Sequence, residues 1–334
     1  MPMSPRGLEA TGPRLPTRYR PPRRAPQRPQ RRLFVVVSVL TALVLLLGTF
    51  FIVAPTPTPT PPAVAEDALR QRRLPLLAFA GPALIQASDV GITASTDGGA
   101  AWTALQSPEE AALTALVVSP SDASVRYAAG LSLGVVRSVD SGTTWQAVLP
   151  GSPTLPDAGS LPLTGHLVTA LAIDPSNSQN VFAWSAGRGL LASSDGGTTW
   201  QFAGAAAGNT SIISLLFVSG EPASIWAGGS QGLLRSQDGG QSFASLPESG
   251  VVGEVTALAQ GGDGALFVAN TRGELWRSDD DGASWSNPGD IAVRSSITSL
   301  VADPAAAGRL WAASADGRLW RSDDGGASWS ALRS

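Results

Sequence analysis

The sequence predicts an all-β fold over residues 75–334, a β-propeller of six four-stranded blades. Two observations predict it. The pattern S-x-D-x-G-x-x-W returns six times, and the segments between its copies are short, alternating apolar runs broken by Gly, Asp, Asn, Ser and Pro. The copies are "STDGGAAW", "SVDSGTTW", "SSDGGTTW", "SQDGGQSF", "SDDDGASW" and "SDDGGASW". Their acids, Asp97, Asp140, Asp195, Asp238, Asp280 and Asp324, are spaced 43, 55, 43, 42 and 44 residues apart. A period of that length marks one supersecondary unit repeated and stacked.

Each unit divides into four strands, A to D. Strand A alternates and is apolar, as in "LTALVVSP", "VTALAIDP" and "ITSLVADP". Strand B holds one aromatic: Tyr127, Phe182, Trp226, Phe267 or Trp311. Strand C reads "GVVRS", "GLLAS", "GLLRS", "ELWRS" or "RLWRS", and strand D starts at the motif aromatic. Runs of this length and period are β signals, and closing them into a ring protects the sheet edges. Six complete units imply six blades. The irregular first unit, "LPLLAFAGPALIQASDVGITASTDGGAAW", leaves seven as the alternative count.

The motif suits a hairpin corner. Its acid can accept bonds from the turn's N–H groups, and its glycine can take positive φ. Its aromatic can bury a large apolar area between sheets. The six acids are therefore expected to be structural.

On these residues the chain resembles the Asp-box (BNR) repeat propellers. The stretch "LAIDPSNSQNVFAWSAGRGLLASSDGGTTW", Leu171 to Trp200, matches that repeat nearly from end to end, and the likeness covers residues 75–334. The group includes sialidases, xyloglucan hydrolases, sortilin-type receptors and photosystem II assembly factors. The resemblance is nearest to the assembly-factor and sortilin-type members.

The other segments differ sharply. Residues 1–32 carry nine arginines and one acid, Glu9, which gives them +8. The whole chain is −3, so the remainder carries −11. The tail has too few apolar groups to fold. Residues 33–54, "LFVVVSVLTALVLLLGTFFIVA", hold no charge and are long enough to cross a bilayer as one transmembrane helix. Arginines just before them place the tail in the cytoplasm and the propeller outside, as a single-pass type II protein of the cell membrane. "AVA" at 63–65 raises a cleaved signal peptide as the rival reading, but the 32-residue leader and the long apolar run argue against it. Residues 55–74 open on "PTPTPTPP", a semi-rigid spacer.

Several chemistries are poorly supplied. There is no cysteine, so thiol nucleophiles and thiolate metal sites are out. The single histidine, His166, has no evident partner. The resemblance to sialidases implies a tyrosine nucleophile, but Tyr19 lies in the tail and Tyr127 fills the strand B packing slot. Arg137, Arg235, Arg277 and Arg321 recur at one repeat position, so they read as structural. Asp279 to Asp281 and the pair Asp323–Asp324 lack the alternating oxygen ligands of a calcium loop. No cofactor and no metal are expected. Nor is nucleic acid, because the propeller is acidic.

The expectation for function is a non-catalytic, membrane-anchored binding or assembly scaffold. The alternative is a sialidase-like or other glycoside hydrolase with an unrecognised site. The A–B and C–D turns should share one rim, leaving the B–C turns and D–A connections on the other. That second rim takes the twelve-residue surplus within Pro150 to His166 and three turn arginines, Arg188, Arg272 and Arg318. Irregular loops on a rigid scaffold concentrate function. These arginines, with His166, are the expected contacts for a protein or glycan partner.

Overall fold

The computed structural model describes residues 75–334, apart from 89–90, 109–112, 131–132, 151–165, 205–210, 220–222, 292, 294 and 333–334. The expected tail, membrane span and spacer therefore lie outside the described residues. Among the described residues no helix is long and apolar enough to cross a membrane.

Six antiparallel sheets are present, each built from consecutive strands. Five have four strands. The sheet of blade 5 has three, with an isolated bridge between Arg277 and Ser286 in the place of the fourth. The blade count is six, and the irregular first unit forms a single sheet. The innermost strands are Leu76–Ala80, Leu113–Val118, Val168–Asp174, Ile212–Val218, Val255–Gln260 and Ile297–Ala302. Each touches the next, and the first touches the last, so the ring is closed.

Strand A carries a recurrent irregularity. In blades 2 to 6 its register with strand B slips near the start, as between Leu113 and Ala115 or Ile297 and Ser299. A bulge re-aims one side chain. In blades 2, 3 and 6 that side chain is a threonine whose hydroxyl donates to the next inner strand. Thr114 donates to Val168 O (2.7 Å), Thr169 to Ile212 O (2.6 Å) and Thr298 to Pro75 O (2.7 Å). The last of these bonds closes the ring.

The core lies between the blades. Strand B supplies the largest fully buried side chains, Trp226, Tyr127 and Phe267. Each is roofed by the strand C arginine of its own blade, with the guanidinium carbon 4.7, 5.8 and 5.5 Å from the ring centre for Arg235, Arg137 and Arg277. Arg321 covers Trp311 in the same way at 5.5 Å. These arginines then reach the motif turn of the following blade. Arg235 bonds the Asp281 carbonyl at 3.0 Å and also its carboxylate. A side chain at Gly98 would meet Arg321, and one at Gly196 would meet Arg137. The four repeated arginines thus reach from blades 2, 4, 5 and 6 to the turn of the next blade instead of converging on one site.

Glycine at the strand D side is needed for the same close approach. A Cβ on Gly204 would stand 2.2 Å from Gly240 O and 2.4 Å from Gln241 O in the next blade's turn. No side chain fits against backbone at that range.

Candidate functional site

The two rims of the ring differ in what their polar groups are doing. On one rim the A–B and C–D turns are hydrogen-bonded to each other, as in Gly196 N–H to Gln179 O (2.9 Å) and Gly325 N–H to Gly308 O (2.8 Å). Here five of the six motif acids have both oxygens bonded, and Asp97 is held through its Oδ1 alone. In blade 3 the Ser193 hydroxyl donates to Asp195 Oδ1 (2.7 Å) and accepts the Gly197 N–H (2.8 Å). The Thr199 N–H reaches Oδ1 (2.9 Å) and its hydroxyl reaches Oδ2 (2.6 Å). The turn demands a left-handed residue after the acid, and where glycine is missing Ser141 and Asp281 adopt φ of 61° and 55°.

This bonding holds the acids ionised. The Thr199 hydroxyl, then its N–H and the Ser193 hydroxyl, keep Asp195 at about 2. Asp140, Asp238, Asp280 and Asp324 sit at about 2 for the same reasons. Asp97 has Ala101 where the others have a hydroxyl, and it is lowered chiefly by that residue's N–H. An acid with its lone pairs committed and its proton this loosely held is a poor general acid.

A pH dependence follows from those values. The folded pKa lies below the ordinary 3.8, so each turn's contribution is present in full above that value and is lost as the pH falls through about 2. Asp195→Ala should melt below the parent at pH 7, and the gap should narrow between pH 4 and pH 2. Equal melting temperatures at pH 7 would show that the acid is not holding the turn.

A channel of about 410 Å³ runs between the inner strands and reaches the A–B turns at Gly81, Pro120, Pro175 and Pro304. Its walls are mainly apolar, with Phe79 and Phe217 among them. It offers volume on the motif rim but no carboxylate.

The opposite rim carries the uncommitted groups. Of the residues expected there, the structure brings Arg188 and His166 together in blade 3. Arg188 Nη1 lies 3.0 Å from His166 Nε2 and 3.3 Å from its Nδ1. His166 Nδ1 is in turn 3.2 Å from Ser185 Oγ. Burial, then the Arg188 charge, lower the histidine's pKa, which favours the neutral ring that can accept from arginine. Arg272 and Arg318 do not join them. Arg272 stands exposed in blade 5, and Arg318 in blade 6 pairs with Asp316 at 3.6 Å. The surplus of the long repeat, residues 151–165, lies outside the described residues.

Two further residues on this rim escaped the sequence reading. Glu254 immediately precedes the inner strand of blade 5, and Glu274 immediately precedes its strand C. Both are half-buried. The Glu254 carbonyl accepts the Thr271 N–H at 3.2 Å, and the Asn270 N–H reaches the Glu274 carbonyl at 3.3 Å. Fully buried Asn270 donates to Glu274 Oε2 at 2.5 Å, while its own Oδ1 accepts the Arg272 and Glu274 N–H groups. The signal was available as a departure from the repeat: the position of Glu254 is Leu167, Ser211 or Ser296 in other units.

Elimination gives these two carboxylates their weight. Among the described residues, Asp263, Asp279, Asp281, Asp303, Asp316 and Asp323 are paired with arginine. Asp122 and Asp174 are tied into their own turns. Glu248 and Asp290 are exposed. That leaves Glu254 and Glu274 as the half-buried acids held by nothing stronger than a neutral amide. No group of three or more potential metal ligands occurs among the described residues.

No family model matches the chain. It is 29% identical over 242 residues to a xyloglucanase of Paenibacillus sp, covering 67% of this chain and 22% of that protein. In structure it resembles a GH74 enzyme of Niastella koreensis, with 20% identity, a TM-score of 0.54, and 75% of this chain and 43% of the other covered. The GH74 xyloglucanase of Xanthomonas campestris aligns at 23% identity and a TM-score of 0.52, over 76% of this chain and 44% of the other. The chain thus spans about a fifth of its sequence relative and under half of each structure, and the structural likenesses bear on the fold alone. The sequence relative corrects the expectation of a non-catalytic scaffold, and with it the expectation that the chain is no enzyme. That relative is named a xyloglucanase, which favours the glycoside hydrolase alternative over the scaffold.

Proposed function

We propose that the propeller is a glycoside hydrolase module acting on a polysaccharide of the xyloglucan kind. The observation that carries this reading is the 29% identity, sustained over 242 residues, to a xyloglucanase. The six Asp-box turns support placing the chain among the Asp-box propellers, the group that resembles it in sequence and includes xyloglucan hydrolases.

Glu254 and Glu274 are the acids proposed to act. Hydrolysis of a glycosidic bond needs one carboxyl group to protonate the leaving oxygen and a second to activate water or attack the sugar. The motif acids are committed to their turns, and the arginine-paired acids to their partners. Glu254 and Glu274 flank strand B of blade 5, so their backbones are two ladder spacings, about 10 Å, apart. From there two glutamate side chains can span the roughly 6.5–9.5 Å of an inverting pair. Asn270 would hold Glu274 in place, since it bonds both the carboxylate and the N–H of that residue.

The test is reducing-end release from xyloglucan by the purified full chain. The parent should release new ends. Glu254→Gln and Glu274→Gln should each lose activity by about a hundredfold or more, the range of a lost acid or base, with unchanged melting temperatures. A folded parent that leaves xyloglucan intact would overturn the reading. Full activity in both variants would move the site elsewhere.

A further inference from the structure

The channel between the inner strands has no part in the hydrolysis proposed above. Its volume of about 410 Å³ falls within the range of small-molecule sites, about 300–1,000 Å³. It reaches the A–B turns on the motif rim, on the far side of the ring from Glu254 and Glu274. At its other end Thr114, Thr169 and Thr298 bond across to the next inner strand, and none of the three lines the cavity. Among the described residues no charged side chain lines it either.

Register puts one residue of each inner strand into a layer near the mouth: Phe79, Val118, Ile173, Phe217, Gln260 and Ala302. All six line the cavity. Phe79 and Phe217 belong to blades 1 and 4, which stand opposite each other in a ring of six. Both are half-buried and both are held from the preceding blade. Phe79 meets Trp311 edge-on at 5.3 Å, and Phe217 stacks on Phe182 at 5.3 Å. Aromatic walls of this kind accept apolar groups and cations alike.

The charge around the mouth is negative. Asp122 and Asp174 stand in the A–B turns beside the mouth residues Pro120 and Pro175. Their carboxylates accept from Ser124, Ser176 and Asn180, and neither meets an arginine. The matching acids of blades 5 and 6, Asp263 and Asp303, are paired with Arg277 and Arg309. Arg126 starts strand B nearby, but its Nη1 lies under Gly142 in the C–D turn. Further out, the six motif acids outnumber the four repeated arginines that reach their turns. A cleft with uncharged, low-dielectric walls and one sign of charge at its mouth focuses that field on its interior.

We infer that the channel is a binding site for a cationic amphiphile. The apolar alkyl or aryl part enters between Phe79 and Phe217, and the ammonium stays at the mouth beside Asp122 and Asp174. This inference does not rest on the hydrolase reading, because it uses the other rim and neither glutamate.

Calorimetric titration of the full chain tests it with three ligands that share one apolar part: 4-phenylbutylamine, 4-phenylbutanol and 4-phenylbutyrate. The amine should bind with a Kd of about 0.1–1 mM, the range open to a ligand of that size. The alcohol should bind about tenfold more weakly, and the carboxylate more weakly still, because the mouth attracts one charge and repels the other. Added salt should weaken the amine and leave the alcohol unchanged. Asp122→Asn should weaken the amine about threefold without moving the alcohol, since one exposed charge of the collar is lost. Ala302→Phe should abolish binding of all three by filling the layer. Should that variant fail to fold, Ala302→Leu reads the same effect as a loss of about tenfold. Failure of the amine to bind the parent would overturn the inference, as would full binding by Ala302→Leu. Equal affinity for amine and alcohol would overturn the assignment to a cation in favour of an uncharged apolar ligand. An unliganded dimer that the amine disperses in sedimentation would overturn it in favour of a second copy of the chain. Xyloglucan cleavage is not read here, so the two proposals fail separately.

Discussion

Removal of residues 291–334 should abolish the cooperative unfolding of the whole ring instead of trimming one blade from it. Blade 6 closes the circle onto blade 1. The Thr298 hydroxyl donates to Pro75 O at 2.7 Å, the Leu77 N–H donates to Ser299 Oγ at 3.0 Å, and the Trp311 indole donates to Gly98 O at 3.3 Å. Between them Leu77, Leu84, Trp311, Ala313 and Leu319 form one buried cluster shared by the two blades. On the other side, Phe267 and Leu275 of blade 5 pack with Leu310, Ala312 and Trp320 of blade 6. Deletion strips both faces at once and leaves two apolar surfaces open to water. Each large side chain so exposed costs about 1.5–3 kcal/mol, and a domain's net stability is only about 5–15 kcal/mol. Loss of the sigmoidal transition in circular dichroism is the expected outcome. A truncated chain with the parent's melting temperature and cooperativity would show that the ring does not depend on closure.

Trp226→Ala should cost about 3–5 kcal/mol, the range for emptying a fully buried aromatic site. Trp226 is 1% exposed. Its ring meets Trp285 edge-on at 5.8 Å, lies under Arg235 at 4.7 Å and donates its indole N–H to Ser224 Oγ at 3.1 Å. It also packs on Gly282, where a Cβ would fall 2.1 Å from the ring. Truncation thus empties the space under the motif turn of the following blade and leaves the Arg235 stem without its platform. Urea denaturation reads the effect directly as a lower midpoint at unchanged slope. A loss under about 1 kcal/mol, well below the aromatic range, would mean that the arginine lid and not the indole holds the interface.

Much of this architecture was legible because it repeats. A position that recurs six times reports its role by what it tolerates. The strand B slot accepts Tyr, Phe and Trp, so it is a packing slot, and Tyr127 is fully buried there. The motif acids could be assigned to turns because serine, glycine and aromatic accompany each one. What repetition could not show is geometry across blades. Thr114, Thr169 and Thr298 looked like ordinary residues of an alternating strand. Their inter-blade bonds depend on a bulge, which a period-two pattern does not reveal. The candidate site was hard to read for the opposite reason. Glu254 and Glu274 do not recur in the other units, so the repeat does not point to them, whereas Arg188 was expected from the sequence as one of three turn arginines. A single acid on a loop gives no sign of whether its oxygens are spent. That becomes visible only when every neighbouring donor has been placed.

Each sheet is made of four consecutive stretches of chain, or three and a bridge in blade 5, and no strand crosses to another sheet. The covalent path between blades is therefore incidental to how they hold together. Threonine, arginine and tryptophan contacts do the fastening, and the joint between the last blade and the first uses the same kinds of contact as the others. Such a ring can be opened in more than one place. Linking its present ends and cutting a connection between two other blades would leave every sheet whole, so the gene could be rewritten to begin at a different blade while encoding the same object.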